Sequence, residues 1–305
     1  MHDIVVIGGG PAGMAAALYA QRNGKSALVI ERAGFGGQIT HSPKVENIPG
    51  FGQISGNEFA ERFIDQIMAQ GAEVELENAT AIAAREGGGF TVKTEEGTEH
   101  DCRAVVIAVG VKHRMPGLPG EDELVGNGIS FCAVCDGDFY AGKTVAVAGG
   151  GNSALQEAIL LSEKCEKVVI LQDLPMLTGE QKLQEILAKR ANVEVITGVK
   201  LMGYEADGGD FKGVRIADQD GGNPRTVAAD GLFIAIGLIP ENGAFADWAA
   251  LDGRGYFASG EDCATKTPGI FVAGDCRAKN VRQVATAAAD GATAALAAVH
   301  FINAL

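Results

Sequence analysis

Cys132-Ala133-Val134-Cys135, followed at once by Asp136, is the segment of this chain best suited to chemistry. A CxxC pair can open and close as a disulfide. Its thiolate is the nucleophile, so a neighbouring group must manage the proton. The segment lies between two glycine-rich runs, Gly8–Gly13 and Gly149–Ala154. A flavin and a nicotinamide can together feed such a pair two electrons, and few chemistries other than disulfide exchange need all three in one polypeptide. The competing use of Cys132 and Cys135 is half a zinc site. Zinc would require a second CxxC or a histidine pair at ligand spacing. Cys102, Cys165, Cys263 and Cys276 show no such spacing and the five histidines are scattered, so no metal is expected. Those four cysteines read as small buried apolar residues.

The elements around the segment repeat. The apolar run Ile4–Ile7 leads into Gly8-Gly9-Gly10-Pro11-Ala12-Gly13 and an alanine-rich helical stretch. Val145–Ala148 leads into Gly149-Gly150-Gly151-Asn152-Ser153-Ala154 and a second helical stretch. Each is followed by another apolar strand, Ala27–Ile30 or Val168–Leu171. This is the β-α-β unit that binds dinucleotides. Gly8 and Gly149 permit the sharp turn, and Gly10 and Gly151 let the backbone approach a pyrophosphate. Gly13 and Ala154 must be small so that helix and strand can close. The helix start, with Pro11 and Ala12 in one copy and Asn152 and Ser153 in the other, faces the phosphates with free N–H groups. The run Ala104–Gly110 resembles Gly231–Gly237, and each closes its half with a buried strand ending in glycine. The alternative, two packing turns without a ligand, accounts less well for a signature that recurs with its closing strand.

The first half reads as the FAD half. Glu31 ends its second strand about twenty residues after the glycines, where a carboxylate accepts bonds from a ribose. Read otherwise, it is an exposed charge at a strand end. Ile270–Ala273 is a buried strand delivering Gly274 and Asp275 beside the phosphates or ribitol of a long cofactor. That strand comes late in the chain, so the first domain is discontinuous. The expected fold class is α/β with two Rossmann-like domains: an FAD domain over 1–115 and 245–305, and an inserted pyridine-nucleotide-like domain over 116–244.

Composition agrees and excludes. A chain of 305 residues, 47% hydrophobic and 21% charged, can build two cores and is not disordered. A formal charge of −14 repels phosphate backbones, so a nucleic-acid partner is not expected. No targeting segment precedes the first strand, and the apolar runs Ala104–Val109 and Ala287–Ala298 are too short or too alanine-rich to span a membrane. The chain reads as cytoplasmic and free of membrane.

Over essentially its whole length the sequence resembles the low-molecular-weight thioredoxin reductases. The residues that carry the resemblance are Gly8–Gly13, Gly36-Gly37-Gln38, Val45–Gly50, Cys132–Gly137, Gly149–Ala154, Gly274-Asp275 and Arg282–Ala285, in that order and spacing. The resemblance implies a homodimeric flavoenzyme that reduces a thioredoxin-like protein and whose inserted domain rotates. It implies that Cys135 is the flavin-side thiol, Cys132 the thiol that attacks the partner, and Asp136 the proton donor or acceptor. Asp136 could also cap a helix. By the same resemblance Gly36, Gly37, Gln38 and Asn47 line the isoalloxazine, Gly110 closes the first cleft, and Arg282, Gln283 and Val284 meet the flavin edge. Read otherwise, Asn47 is a turn cap ahead of Pro49 and Arg282-Gln283 a polar pair at a helix start.

The sequence departs from that family at one informative place. Relatives carry a His-Arg-Arg run after the second strand of the inserted domain, where it grips the 2′-phosphate of NADPH. Here Gln172-Asp173-Leu174-Pro175 follows, and no arginine appears until Arg190. Three readings result. Gln172 or Asp173 contacts a free ribose hydroxyl and NADH is the donor; or both NADH and NADPH serve, with the phosphate in solvent; or another donor such as reduced ferredoxin replaces them. The retained Gly149–Ala154 turn favours a nicotinamide. A flavin-binding regulatory protein without turnover is the rival of another class, and intact Cys132–Asp136 speaks against it.

Overall fold

The computed structural model describes residues 1–42 and 45–305. By contacts the chain divides into two compact units. The first comprises 1–40, 48–112 and 239–305, and the second 41–47 and 113–238.

In the first unit a seven-stranded sheet runs in the order Glu73–Leu76, Ala27–Glu31, His2–Ile7, Glu99–Ile107, Phe90–Thr94, Ala79–Ala84, with Ile270–Val272 also paired to Glu99–Ile107. The opening strand pairs in parallel on both sides, Ile7 standing beside Ile30 and Ile107. Ile4, Val5, Val6, Leu28, Val29 and Val105 are fully buried, because helices and loops cover both faces and leave no solvated face to alternate. The late strand joins in register as Ile270↔Val105 and Phe271↔Val106, which closes the sheet with residues far along the chain. The antiparallel meander over 79–107 is the part that sequence periodicity did not single out.

The opening helix, Pro11–Arg22, and the C-terminal helix, Val284–Asn303, pack along one another on this sheet. The latter is long and apolar enough to cross a membrane. Its small residues instead meet the opening helix: a Cβ on Gly291 would overlap the Ala12 carbonyl and come within 3.0 Å of the Ala15 methyl. Ala294, Ala295 and Ala298 are fully buried beside it. Alanine is what allows backbones to approach so closely, so the run is the signature of a helix-on-helix seam.

The second unit repeats the arrangement with five strands, Val193–Thr197, Lys167–Gln172, Thr144–Ala148, Gly231–Ile234 and Ile129–Ser130, all parallel. Ala148 stands beside Leu171 and Ile234 as Ile7 does beside Ile30 and Ile107. A three-stranded antiparallel sheet over 199–228 covers one face. The helix Asn152–Ser162 covers the other with Leu155, Ala158 and Leu161.

Gly291→Ala tests the seam. It should lower stability by about 1–3 kcal/mol through overpacking, while Gly34→Ala, where a Cβ would have no neighbour within 4 Å, should lie within about 0.5 kcal/mol of the parent. Thermal melts of both would check this, and equal midpoints would show that the seam tolerates a methyl group.

Candidate functional site

The strand Ile129–Ser130 hydrogen-bonds to Leu232–Phe233 and ends at Phe131, so the sheet itself delivers Cys132. A four-residue helix, Ala133–Asp136, follows. Cys132 is its N-cap: the Sγ accepts from the Cys135 backbone N–H at 3.2 Å, and the Cys132 carbonyl accepts from the Asp136 N–H at 3.0 Å. Cys132 and Cys135 form a disulfide with Cα atoms 5.3 Å apart. Both cysteines are half-buried, Ala133 points into the core beneath, and Val134 is exposed. Upstream, the His113 ring stacks on Phe131 with centroids 4.2 Å apart. Burial, and the nearby His41, push the His113 pKa down to about 4. The other four cysteines are free and buried.

Asp136 is buried, and its Oδ2 accepts from Ser130 Oγ at 2.6 Å. The same hydroxyl accepts from the Cys132 N–H at 3.2 Å. One serine thus ties the carboxylate to the backbone of the first cysteine. Burial raises the Asp136 pKa, and the Ser130 hydrogen bond opposes that rise without cancelling it. Asp136 makes no side-chain cap, so the capping alternative is not what this structure shows. Its Oδ1 is buried without a hydrogen-bond partner.

A second carboxyl, overlooked in the sequence reading, stands next to it. Glu157, on the helix Asn152–Ser162, accepts from the Ala133 backbone N–H, and its Oε2 is buried without a hydrogen-bond partner. Burial first, and then the Asp136 charge, push its pKa up to about 8. A signal was available. Ala154, Ala158 and Leu161 mark the buried stripe of that helix, and position 157 lies on it at helical spacing. Ser130 carried no such signal, since a serine at a strand end has many uses.

The two glycine turns have the same local geometry. Gly8 and Gly149 have φ of +109° and +122°, and a Cβ at either would collide with the Ala108 or Ala235 carbonyl. A Cβ at Gly13 would overlap the Gly8 carbonyl. Gly10 and Gly151 are the helix N-caps, neither with a side-chain cap bond, with Pro11 and Asn152 as first helical residues and Ala12 and Ala154 buried. At the first turn Glu31 Oε2 accepts from the Gly9 N–H at 2.6 Å and Oε1 from the Ala33 N–H at 3.0 Å. At the second, Gln172 takes the equivalent place. It is 4% exposed, packs where a Gly150 Cβ would stand, and donates from Nε2 to the Met176 carbonyl at 3.3 Å. Asp173 is exposed, its Oδ1 accepting from the Leu174 N–H. The Asn152 amide and Glu180 bond reciprocally, and Thr178 and Gly179 donate their N–H groups to the Gly150 carbonyl. Ser153 is exposed.

Gly36, buried with φ +112°, donates its N–H to the Gly9 carbonyl at 2.9 Å, and Gly37 and Gln38 follow exposed at the start of a 3-10 turn. The structure therefore brings this segment to the first turn. Asn47 is exposed and belongs by contacts to the second unit. Gly110 has φ +64° and ends the segment after the central strand. Gly274, with φ +78°, leaves room for only a hydrogen against the Ala12 methyl. Burial raises the Asp275 pKa against the opposing pull of Lys279 and Arg282, and its Oδ1 lacks a hydrogen-bond partner. Arg282 lies over the Tyr256 ring at 4.4 Å, Gln283 is the N-cap of the C-terminal helix in a capping box with Thr286, and Val284 is its first residue. Glu75, Glu77 and His100 bring ligand-type atoms within 4.8 Å of one another; His100 Nε2 lies 3.0 Å from Glu75 Oε2, and no cysteine joins that group.

Residues 2–291 match the family model described as pyridine nucleotide-disulphide oxidoreductase. A thioredoxin reductase of Treponema pallidum is 38% identical over all of this chain and 98% of its own. One of Listeria monocytogenes is 36% identical over all of this chain and 95% of its own. The crystal structure of thioredoxin reductase from Streptococcus pyogenes superposes with a TM-score of 0.92 at 34% identity, covering 100% of this chain and 99% of that one.

The His113 stack has a pH signature. Its imidazole binds a proton near 6.5 when unfolded and only near 4 when folded. Between those values the unfolded chain holds more protons, so stability is lost as pH falls through that window. His113→Phe keeps a ring on Phe131 and removes the titration. Melting curves at pH 7 and about pH 5 should show a smaller acid loss in the variant; an equal loss would contradict the assignment.

Proposed function

The chain belongs to the pyridine nucleotide-disulphide oxidoreductases, as one of the low-molecular-weight thioredoxin reductases, and from that premise we propose that it carries electrons from NADH, or from NADH and NADPH alike, through FAD and the Cys132–Cys135 disulfide to a thioredoxin-like protein. It is a flavoprotein disulfide reductase. The proposal adds the donor, the site residues and the partner, in a cytoplasmic homodimer.

The first unit offers what FAD requires. Around the opening turn, Gly8, Gly13 and Gly36 exclude side chains, and the helix from Pro11 begins without a side-chain cap. Glu31 suits a ribose, Asp275, with Lys279 Nζ 3.7 Å from its Oδ1, suits a ribitol hydroxyl, and the helix beginning at Val284 presents N–H groups. We place FAD on these residues, with Gly10, Ala12, Gly37, Gln38, Gly110, Gly274, Arg282 and Gln283. Bound FAD supplies the two-electron relay between a hydride donor and a disulfide.

The single observation that carries the function is the disulfide beside a buried carboxyl. In the closed disulfide the Cys135 N–H already points at the Cys132 sulfur at 3.2 Å. A hydrogen bond to the charged form favours thiolate there. We therefore assign the attack on the partner disulfide to Cys132 and the flavin-side thiol to Cys135. Asp136, held by Ser130, takes up and returns the proton.

The donor reading rests on residues 168–181, which contain no lysine or arginine. A 2′-phosphate near the second strand end would meet the exposed Asp173 carboxylate and a neutral, buried Gln172. A ribose hydroxyl meets no such repulsion. The positive φ of Gly149 and the close packing of Gly150 on Gln172 keep the form of a dinucleotide turn, which supports a nicotinamide over a protein donor.

Steady-state thioredoxin reduction tests the sulfurs. Cys132→Ser and Cys135→Ser should each lose on the order of 10³-fold or more in turnover while the flavin band still bleaches with the donor under anaerobic conditions. A variant with full turnover would remove the disulfide from the path. Replacing both Gln172 and Asp173 by arginine should lower the KM for NADPH relative to NADH by about tenfold, a difference of about 1.4 kcal/mol. An unchanged ratio would show that these positions do not face the adenosine ribose.

A further inference from the structure

Two carboxyls lie behind the disulfide, and the reductase chemistry above uses only Asp136. They belong to different elements. Asp136 ends the helix that begins after Cys132, and Glu157 reaches the Ala133 N–H at the start of that same helix from the helix Asn152–Ser162. Each keeps one buried oxygen without a hydrogen-bond partner, Asp136 Oδ1 and Glu157 Oε2. Two ionised carboxylates would be a poor solution there, since each orphaned oxygen would be a desolvated acceptor beside a like charge. A single proton resolves it, because a neutral carboxyl can donate where an ionised neighbour accepts.

Among the described residues the charge that acts on Glu157 is that of Asp136, while Lys143 Nζ lies 5.8 Å from the Tyr140 ring and Lys164 pairs with Asp138. Tyr140, in the following 3-10 turn, feels the Asp136 charge and stays protonated up to about 12. Val145 and Val147 on the central strand, and Val168 and Ile170 on its neighbour, pack in the same cluster and carry no charge. The helix Gln181–Leu187 contributes Leu183 and Leu187 to that cluster.

We propose that Glu157 and Asp136 form a two-carboxyl proton store behind the disulfide, in which Glu157 holds the proton while Asp136 is ionised and returns it to the sulfurs through Asp136. Glu157 is a positioning residue, acting through Asp136 and through the Ala133 N–H. The step balances. Opening the Cys132–Cys135 bond takes two electrons from the reductase chain and leaves two sulfurs. The stored proton moves from Glu157 to Asp136 and on to Cys135, while Cys132 remains thiolate. When Cys132 attacks a partner disulfide, one partner sulfur leaves as thiolate. Cys135 then gives its proton back to the carboxyl pair and attacks the Cys132 sulfur of the mixed disulfide, so that the second partner sulfur leaves as thiolate. The partner's two sulfurs leave with both electrons and are protonated from solvent, the Cys132–Cys135 bond is restored, and the pair keeps its proton.

The inference rests on the thioredoxin-reductase reading, and its test separates the two. In oxidised holoenzyme at pH 7, infrared spectroscopy should show a protonated-carboxyl band that is absent from Glu157→Gln and that titrates with an apparent pKa of about 8. Glutamine keeps an acceptor for the Ala133 N–H and never ionises. Thioredoxin reduction by the parent should therefore fall by about fivefold at most between pH 8 and pH 9 relative to Glu157→Gln, since a group holds half its proton at its pKa and about a tenth one unit above it. Glu157→Ala, which leaves the Ala133 N–H without that acceptor, should lose activity at every pH. The proposal is overturned if the band survives in Glu157→Gln, if the parent lacks it, or if parent and glutamine variant have superposable pH profiles. A parent enzyme that fails to reduce thioredoxin at any pH would sink the function while leaving the infrared result to decide the proton.

Discussion

A helix of four residues cannot hold two sulfurs in place by itself. Nucleating one turn costs more backbone entropy than its own hydrogen bonds return. The chemistry of this protein depends on how that turn is fixed from outside. Cys132 caps it with its own sulfur, Ser130 bonds both the Cys132 N–H and the Asp136 carboxylate, and Glu157 takes the Ala133 N–H. Ala133 anchors it in the core. The partners come from the strand before the turn and from the helix after the second glycine run. The sheet that forms the dinucleotide turn therefore also positions the disulfide.

The repeat explains how one scaffold can serve two cofactors. In both units a parallel central strand ends at a glycine of positive φ, and the end of the next strand packs beneath the second glycine of the turn. In the first unit that residue is Glu31, whose carboxylate holds the Gly9 and Ala33 N–H groups. In the second it is Gln172, buried and neutral, which reaches the Met176 carbonyl instead. The position is structural in both, since Gln172 fills the space a Cβ on Gly150 would need and Glu31, together with the Phe35 ring, fills that beside Gly9. Charge is what differs: Gln172 is neutral, and the exposed Asp173 follows it.

Much of this was legible from residue order. Glycine runs following apolar strands announce the turns because few other residues tolerate the backbone at Gly8 and Gly149. The late strand Ile270–Val272 was visible as an apolar run ending in Gly274-Asp275, and with it the discontinuity of the first unit. The meander over 79–107 and the sheet over 199–228 were not, since half-exposed antiparallel strands carry short, weak alternation. The side-chain setting of Gln172 and Asn152 also escaped, because the loop that engages them, 176–180, has no regular pattern. Glu157 was readable by helical spacing and was passed over because a glutamate on a helix is ordinarily solvated. Ser130 depends on a contact across a turn that spacing does not encode.

Electron counting with thiol mapping tests the central claim most directly. Oxidised holoprotein would be titrated anaerobically with NADH to completion, then denatured and alkylated for mass analysis. The account predicts uptake of two electrons beyond those the flavin takes, with Cys132 and Cys135 newly alkylated and Cys102, Cys165, Cys263 and Cys276 labelled equally before and after. Uptake by the flavin alone, with Cys132 and Cys135 still joined, would contradict it.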